Sequence, residues 1–359
     1  MRRGDAGGGD DRTGPRRPLS PARAVTADRP PLLRVQDLRV RYRVQGPLRA
    51  LLAGTRRPFI DAVLGVSFAV APGTTFALVG ESGSGKTTLG RALIGLVKAA
   101  EGSILFDGMD PSTLSGAPLR RYRRHMAMMF QDPVASLSPR FTVRSLVTEP
   151  YDIHGGGEAD RDAAARRLLE MVGLPPHFAG RYPHQLSGGQ ARRVGVARAL
   201  ALSPKLIIAD EPTAGLDVSV QGEVLNLMTE LQRRLGLTYI IITHNLAVVR
   251  HVSDEMAIMY MGRFVERGPT QRIYQGPAHP YTHGLLAARP RPDPDRRRAD
   301  VELKGEVPSL ALRPPGCEFA PRCPLAQEVC RREAPPVRTI GPGHEARCHF
   351  PLPPGAAPL

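Results

Sequence analysis

Four short runs of apolar residues dominate the middle of the chain, and each run ends in a polar or glycine-rich segment. The runs are Phe76–Val79, Met126–Phe130, Leu206–Ala209 and Tyr239–Ile242. Continuous apolar runs of this length predict strands that are buried on both faces, as in a parallel sheet. The residues that follow such strands therefore lie at one edge of the sheet, where they can form a binding or catalytic site.

Weaker patterns predict the remaining elements. Loose alternation over Leu32–Val44 predicts an edge strand, and Ile60–Val70 and Glu101–Gly108 predict two more strands. Apolar residues at helical spacing predict helices through most of residues 140–185 and over Val220–Leu235. Strands that alternate with helices in this way predict an α/β fold.

A glycine-rich loop follows the first apolar run and precedes a predicted helix. It reads Gly80-Glu81-Ser82-Gly83-Ser84-Gly85-Lys86-Thr87, with Thr88 opening the helix. Main-chain N–H groups in such a loop point inward at a helix N-terminus, where the helix dipole favours an anion. We expect Lys86 to reach the β- and γ-phosphates of a nucleotide and the Thr87 hydroxyl to bind Mg²⁺. A glycine-rich turn without function is the alternative, but the strand and helix around the loop favour phosphate binding.

Acidic residues end the third run, and a histidine follows the fourth. Asp210 and Glu211 are expected to bind Mg²⁺ and to polarise the attacking water, respectively. His244 ends the next parallel strand, so its side chain can face the same γ-phosphate. Solvent-exposed acids and a structural histidine are the alternatives, and the upstream phosphate loop argues against them.

Two further segments place polar groups that could bind the same nucleotide. Gln131 emerges where the second run meets a loop. Leu186-Ser187-Gly188-Gly189-Gln190 opens a predicted helix that runs through Ala191–Leu202. Ser187 can cap that helix, and the glycines allow a ligand to approach its exposed N–H groups.

Composition narrows the class of protein only slightly. The chain has 359 residues, 42% of them hydrophobic, no Trp and a net charge of +15. The arginines are scattered, which favours a compositional bias over a nucleic-acid interface. No apolar run is long enough to span a membrane and no secretory signal is present, so we expect a cytosolic protein. Residues 1–30 are predicted to be a disordered tail, with an RNA-binding arm as the alternative.

Together these motifs resemble the ATPase subunits of ATP-binding cassette (ABC) transporters. The resemblance implies a P-loop NTPase core at residues 31–288, with a helical subdomain at about 133–186. It also implies a sandwich dimer in which ATP lies between the phosphate loop of one subunit and the Leu186–Gln190 signature of the other.

The same resemblance implies roles for individual residues. Tyr42 would stack on adenine, and Gln131 would sense Mg²⁺ and couple the site to membrane subunits. Glu211 would be the general base, with His244 as the γ-phosphate switch. Ser187, Gly188 and Gly189 would bind the γ-phosphate across the dimer, and Gln190 and Asp217 are further expected cofactor contacts.

Further motifs resemble one branch, the oligopeptide and dipeptide importers. They include Phe130–Pro133, Arg181–His184 and His279–Thr282. This branch implies two membrane permeases, a second ATPase subunit, an extracytoplasmic peptide-binding protein and a peripheral location on the cytoplasmic membrane face. The segment between Tyr42 and Ile60 is more similar to the second ATPase of such systems. An importer of nickel or another small solute, or an ABC ATPase acting on nucleic acid, are the alternatives.

All four cysteines lie in a Pro-rich extension at residues 289–359. Cys317, Cys323, Cys330 and Cys348 have spacings C-x5-C, C-x6-C and C-x17-C, which match no typical zinc ribbon. In a reducing cytosol their clustering argues for a metal site over disulfides. The branch resemblance implies a structural 4Fe–4S cluster, with zinc, or an empty or disulfide-bonded site, as alternatives.

Overall fold

The structure is a computed structural model, and it describes residues 30–43, 59–132, 136–288 and 305–353. The predicted N-terminal tail lies almost wholly outside these ranges. The predicted boundary between the core and the extension also falls outside them, between residues 288 and 305.

Eleven strands form two sheets within these ranges. The strands are β1 Leu33–Arg43, β2 Phe59–Val70, β3 Thr75–Val79, β4 Glu101–Phe106, β5 Met126–Met129, β6 Leu206–Asp210, β7 Thr238–Thr243, β8 Glu255–Tyr260, β9 Arg263–Pro269, β10 Val337–Gly341 and β11 His344–Arg347. Strands β2, β1 and β4 form a small antiparallel sheet in that order. The large sheet has the order β10-β11-β9-β8-β3-β7-β6-β5.

Ten helices pack around the sheets in the described part of the chain. They are α1 Lys86–Leu93, α2 Gly116–Arg124, α3 Val143–His154, α4 Arg161–Met171, α5 Gly188–Leu200, α6 Val218–Leu235, α7 Leu246–Val252, α8 Thr270–Gln275, α9 Pro280–Ala287 and α10 Glu328–Arg332. Five short 3₁₀ helices accompany them in the described ranges, including Ala320–Arg322. None of the helices described is long and apolar enough to cross a bilayer.

The four apolar runs are the parallel strands β3, β5, β6 and β7 of the large sheet. Alternate residues of β6 enter different apolar layers. Leu206 and Ile208 pack with the small sheet and α1, whereas Ile207 and Ala209 pack with the helical region. Both faces of the strand are therefore buried, and its polar groups can emerge only at its end.

The prediction of an edge strand over Leu32–Val44 is wrong. Strand β1 pairs with β2 on one side and with β4 on the other, so it is the central strand of the small sheet. The alternation of side chains shows which face of a strand is buried. It carries no information on how many neighbours the strand has, because the hydrogen bonds run in the perpendicular direction.

The C-terminal region continues the large sheet. Strand β11 pairs with β9 through Glu345↔Arg267 and Ala346↔Glu266. The buried Glu266 carboxylate accepts the main-chain N–H groups of Ala278 at 2.7 Å and His279 at 2.9 Å, and it lies 2.7 Å from His344 Nε2. Because one satisfied carboxylate joins three segments, the last strands are tied to the core by polar contacts as well as by pairing.

The buried His279 generates a prediction about pH. Its Nδ1 accepts the N–H of Tyr281 at the start of α9. Burial lowers the pKa of His279 from 6.5 to about 4, although the Glu266 and Glu318 carboxylates act to raise it. Between pH 6.5 and about pH 4 the unfolded chain is protonated at His279 and the folded chain is not. The free energy of unfolding therefore falls as the pH falls through this range. We expect His279 to cost about 2 kcal/mol of unfolding free energy between pH 8 and pH 5.

The variant His279→Asn tests this prediction, since an Asn oxygen can still cap α9 without titrating. Denaturant unfolding at a series of pH values should show a shallower loss of stability for the variant than for the unaltered chain. Equal slopes for the two proteins would contradict the assignment.

Candidate functional site

The phosphate loop runs from the end of β3 to the start of α1, as the sequence predicts. Gly80 and Gly85 have φ values of 157° and 104°. A Cβ at Gly80 would lie 2.2 Å from Met259 O, and one at Gly85 would lie 2.2 Å from Ala62 O. Both positions therefore require glycine, because the neighbouring main chain leaves no room for a side chain.

Lys86 lies inside this loop. Its Nζ donates to Gly80 O and Glu81 O, both at 2.8 Å, and to Ser84 Oγ at 3.3 Å. Burial lowers the pKa of Lys86, opposed by the nearby carboxylates. The Lys86 ammonium is bound by loop oxygens, and a phosphate group could replace these oxygens as its partner. The position of Lys86 is therefore suited to a phosphate ligand.

Thr87 and Asp210 meet where α1 begins and β6 ends. The Thr87 hydroxyl donates to Asp210 Oδ2 at 2.7 Å, and burial raises the pKa of Asp210. Both residues, together with Gln131, line a cavity of about 630 Å³. The structure thus brings Thr87 and Asp210 into contact and places Gln131, the third residue predicted to hold Mg²⁺, on the same cavity. Hydroxyl, amide and carboxylate oxygens are the donors this cation prefers, so the site fits it.

Glu211 follows Asp210 and carries a strained main chain. Its φ is 50°, a left-handed conformation that is uncommon outside glycine. Its carboxylate accepts from Thr243 Oγ1 and from the main-chain N–H of His244, both at 3.1 Å. His244 Nδ1 lies 2.6 Å from Glu211 Oε1, and the His244 side chain is 70% exposed. The structure therefore brings the two predicted catalytic residues of neighbouring strands into contact.

The signature segment begins α5. Ser187 Oγ accepts the N–H of Gln190 at 3.3 Å, and Gln190 Oε1 accepts the N–H of Ser187 at 3.0 Å. This capping box fixes the start of the helix. Ser187 and Gly188 are exposed. The helix N-terminus is therefore open to a ligand or to a second subunit.

The other predicted contact residues lie on the surface around these elements. Tyr42, near the end of β1, is 40% exposed. Ser82 and Gly83 are exposed on the loop, and Thr88 is half-buried on α1. Asp217 is exposed at the N-terminus of α6.

Arg192 is a residue of this site that the sequence argument did not identify. It lies on α5, is 1% exposed, and donates to Gln131 O at 3.3 Å and to Ala214 O at 3.0 Å. It therefore joins the signature helix to the loop after β5 and to the turn after β6. The signal was present, because Arg192, Val196 and Leu200 share one buried helix face.

The prediction of an iron–sulfur cluster is wrong, and so is the zinc alternative. Across the described ranges, no group of three or more His, Cys, Asp or Glu residues is arranged to hold a metal. All four cysteines are free thiols that line a cavity of about 20 Å³, roughly the space of one water. Burial raises the pKa values of Cys317, Cys323 and Cys348 to about 11.

Comparison with known proteins identifies the family. The family described as ABC transporter matches residues 63–214, and the oligopeptide/dipeptide transporter C-terminal region matches residues 265–330. The chain is 46% identical to the oligopeptide transport ATP-binding protein AppF of Bacillus subtilis, over 91% of this chain and 99% of AppF. It is also 46% identical to a Brucella ovis protein named for peptide import, over 89% of this chain and 97% of the relative.

Solved structures agree with this assignment. The bacterial ABC transporter cassette MJ0796, in a dimeric post-hydrolysis state with ADP and Pi, superposes with a TM-score of 0.58 at 28% identity, covering 66% of this chain and 98% of that one. CbiO1 of Clostridium perfringens, part of an ABC transporter complex, gives a TM-score of 0.58 at 29% identity, covering 68% and 90%. The chain belongs to the ATP-binding, ATP-hydrolysing subunits of ABC transporters, and the resemblance seen in its sequence is confirmed.

Arg192 generates a prediction about stability. Replacement by Met keeps an unbranched apolar stem but leaves Gln131 O and Ala214 O without these donors. We expect Arg192→Met to lower the unfolding free energy by about 1–3 kcal/mol in urea titrations. The control is Arg233→Met on the exposed face of α6, which should change stability by less than about 0.5 kcal/mol. Equal stability of the two variants would show that the bonds of Arg192 contribute nothing net.

Proposed function

We propose that this chain is the ATP-hydrolysing subunit of an oligopeptide or dipeptide importer. The observation that carries the proposal is the match of residues 265–330 to the C-terminal region of such transporters, beyond the general cassette. Relatives named for oligopeptide transport or peptide import align over about nine-tenths of the chain, which supports the same conclusion.

The proposed reaction is in-line attack of water on the γ-phosphate of ATP. Lys86 would exchange its contacts with loop oxygens for phosphate oxygens, and the loop N–H groups would hold the β-phosphate. Bound Mg²⁺ would neutralise charge as it develops on the phosphates. Thr87, Asp210 and Gln131 are the side chains proposed to hold it, in agreement with their common cavity.

We assign the general base to Glu211. Its carboxylate is oriented by Thr243 and by the main chain of His244, as a base that must point at one water requires. The contact between His244 Nδ1 and Glu211 would break when His244 turns to the γ-phosphate. The exposed side chain of His244 is free of packing that would prevent such a turn.

Hydrolysis would take place in a dimer. Exposed Ser187 and Gly188 at the start of α5 would bind the γ-phosphate held by a partner ATPase subunit. Gly189, Gln190 and Asp217 would support that contact, and Tyr42 would stack on the adenine. The dimeric cassette among the solved neighbours supports this arrangement.

The assembly would include two membrane permeases, a second ATPase and an extracytoplasmic peptide-binding protein. This chain would lie at the cytoplasmic face of the membrane as a peripheral subunit. Closure of the dimer on ATP would drive the permeases between their two orientations, and hydrolysis would reset them. Residues 31–288 would form the ATPase domain, with a helical subdomain at about 133–186 and a C-terminal extension from 289 onward.

The role of Glu211 generates a prediction about turnover. In Glu211→Gln we expect ATP affinity within about threefold of the unaltered chain and ATP turnover lowered by about 100-fold or more, because the base is lost while the phosphate contacts remain. Binding of a fluorescent ATP analogue and release of phosphate by the assembled complex measure the two quantities. Glu223→Gln, on the exposed surface of α6, is the matched control and should retain full turnover. Full activity of Glu211→Gln would refute the assignment.

The proposed partners generate a second prediction. The tagged chain, expressed with the neighbouring reading frames of its own genome and solubilised from membranes, should co-purify with two permeases and a second ATPase. The tag alone is the control. Recovery of nuclease-sensitive nucleic acid without membrane proteins would favour the nucleic-acid alternative and contradict the importer.

A further inference from the structure

The phosphate loop is contacted by an arginine from the C-terminal region, 241 residues along the chain. Arg322 ends the 3₁₀ helix Ala320–Arg322, one residue before Cys323. Its Nη1 donates to Glu81 Oε2 at 2.8 Å, and its Nη2 donates to Glu81 Oε1 at 3.1 Å. Two parallel bonds of this kind fix the orientation of the carboxylate as well as its position.

The arginine is itself held in place. The Arg322 side chain is only 6% exposed, and its guanidinium lies 5.9 Å from the centre of the Tyr260 ring. The rings of Tyr260, Tyr281 and Phe319 pack against one another with centroid distances of 4.8, 5.3 and 5.5 Å. An arginine seated against such a rigid aromatic cluster loses little further freedom when it binds a carboxylate.

The same cluster binds the main chain of the loop. The Tyr281 hydroxyl accepts the N–H of Glu81 at 3.1 Å. The carbonyl of Glu81 accepts from Lys86 Nζ at 2.8 Å. Glu81 is therefore fixed through its side chain, its N–H and its carbonyl, and it connects the C-terminal region to the lysine of the site.

Glu81 would be harmful to nucleotide binding without this partner. It is the second residue of a loop built to receive a polyphosphate, and its side chain is 28% exposed. A free carboxylate at this position would repel the phosphates of the ligand. Its pairing with Arg322 cancels that charge and directs the carboxylate away toward the C-terminal region.

We propose that Arg322 is a positioning residue for nucleotide binding, which neutralises and orients Glu81 so that the phosphate loop accepts the anionic ligand. The Arg322–Glu81 pair couples the region around the four cysteines to the ATP site. The proposal depends on the ATP binding that the family shows and not on the identity of the transported solute.

The test is a double-mutant cycle on the full chain, read as the Kd for Mg-ADP by isothermal titration calorimetry. Mg-ADP reports on the phosphate loop without hydrolysis. We expect Arg322→Met to raise Kd about tenfold, because it leaves the Glu81 charge uncompensated. Glu81→Gln alone should change Kd by less than about threefold, since the loss of the charge offsets the loss of the pair. The double variant should return to within about threefold of the unaltered chain.

Recovery of the Kd in the double variant distinguishes a positioning role of Arg322 from general damage to the C-terminal region. A change in the phosphate loop could not repair such damage. The matched control is Arg332→Met on α10, an exposed arginine of the same region, which should leave Kd unchanged. Unaltered Kd in Arg322→Met, or a double variant as weak as Arg322→Met, would overturn the proposal.

A milder variant answers the same question if Arg322→Met does not fold. Arg322→Lys keeps the charge but cannot form both bonds. It should raise Kd about threefold, and Glu81→Gln should remove that increase. Persistence of the increase in the double variant would overturn the proposal equally.

Discussion

The register of three buried parallel strands is the constraint on which the site depends. Strand β3 pairs with β7, and β7 pairs with β6, so that Val79 lies beside Thr243 and Asp210 beside Ile242. Main-chain groups inside this sheet can be satisfied only by neighbouring strands, and the side chains on both faces are apolar. A slip of one residue in β6 would exchange the faces of Asp210 and Glu211 and separate them from Thr87 and His244.

Two buried cations connect the loops of the site to one another. Lys86 and Arg192 are cations with little exposure, and both are held by main-chain oxygens of loops. Desolvation of each cation offsets part of the free energy of these hydrogen bonds. The hydrogen bonds tie the loops to one another: Arg192 links the start of the signature helix to Gln131 and to the turn after Glu211. A change in any one of these loops therefore alters the hydrogen bonds of the others.

The C-terminal region shows how spacing can mislead. Its four cysteines are clustered in the sequence, which suggested a metal, and in the structure they line one small cavity. The four cysteines are free thiols, and in the part of the chain described here no three ligands are arranged for a metal. What this region does supply is a strand that extends the sheet and an arginine that reaches the phosphate loop. Neither contact could be read from composition or spacing, because each joins residues about 80 to 240 positions apart.

The local sequence was sufficient to predict the phosphate loop, the buried strands and the residues that end those strands. Glycine positions, a capping serine and short apolar runs each specify their conformation through near neighbours, so the sequence was enough to predict them. The central place of β1, the main-chain partners of Arg192 and the pairing of Arg322 with Glu81 were settled only in three dimensions. These features depend on which distant segments pack together, and long-range packing is determined by the shape and register of the whole sheet.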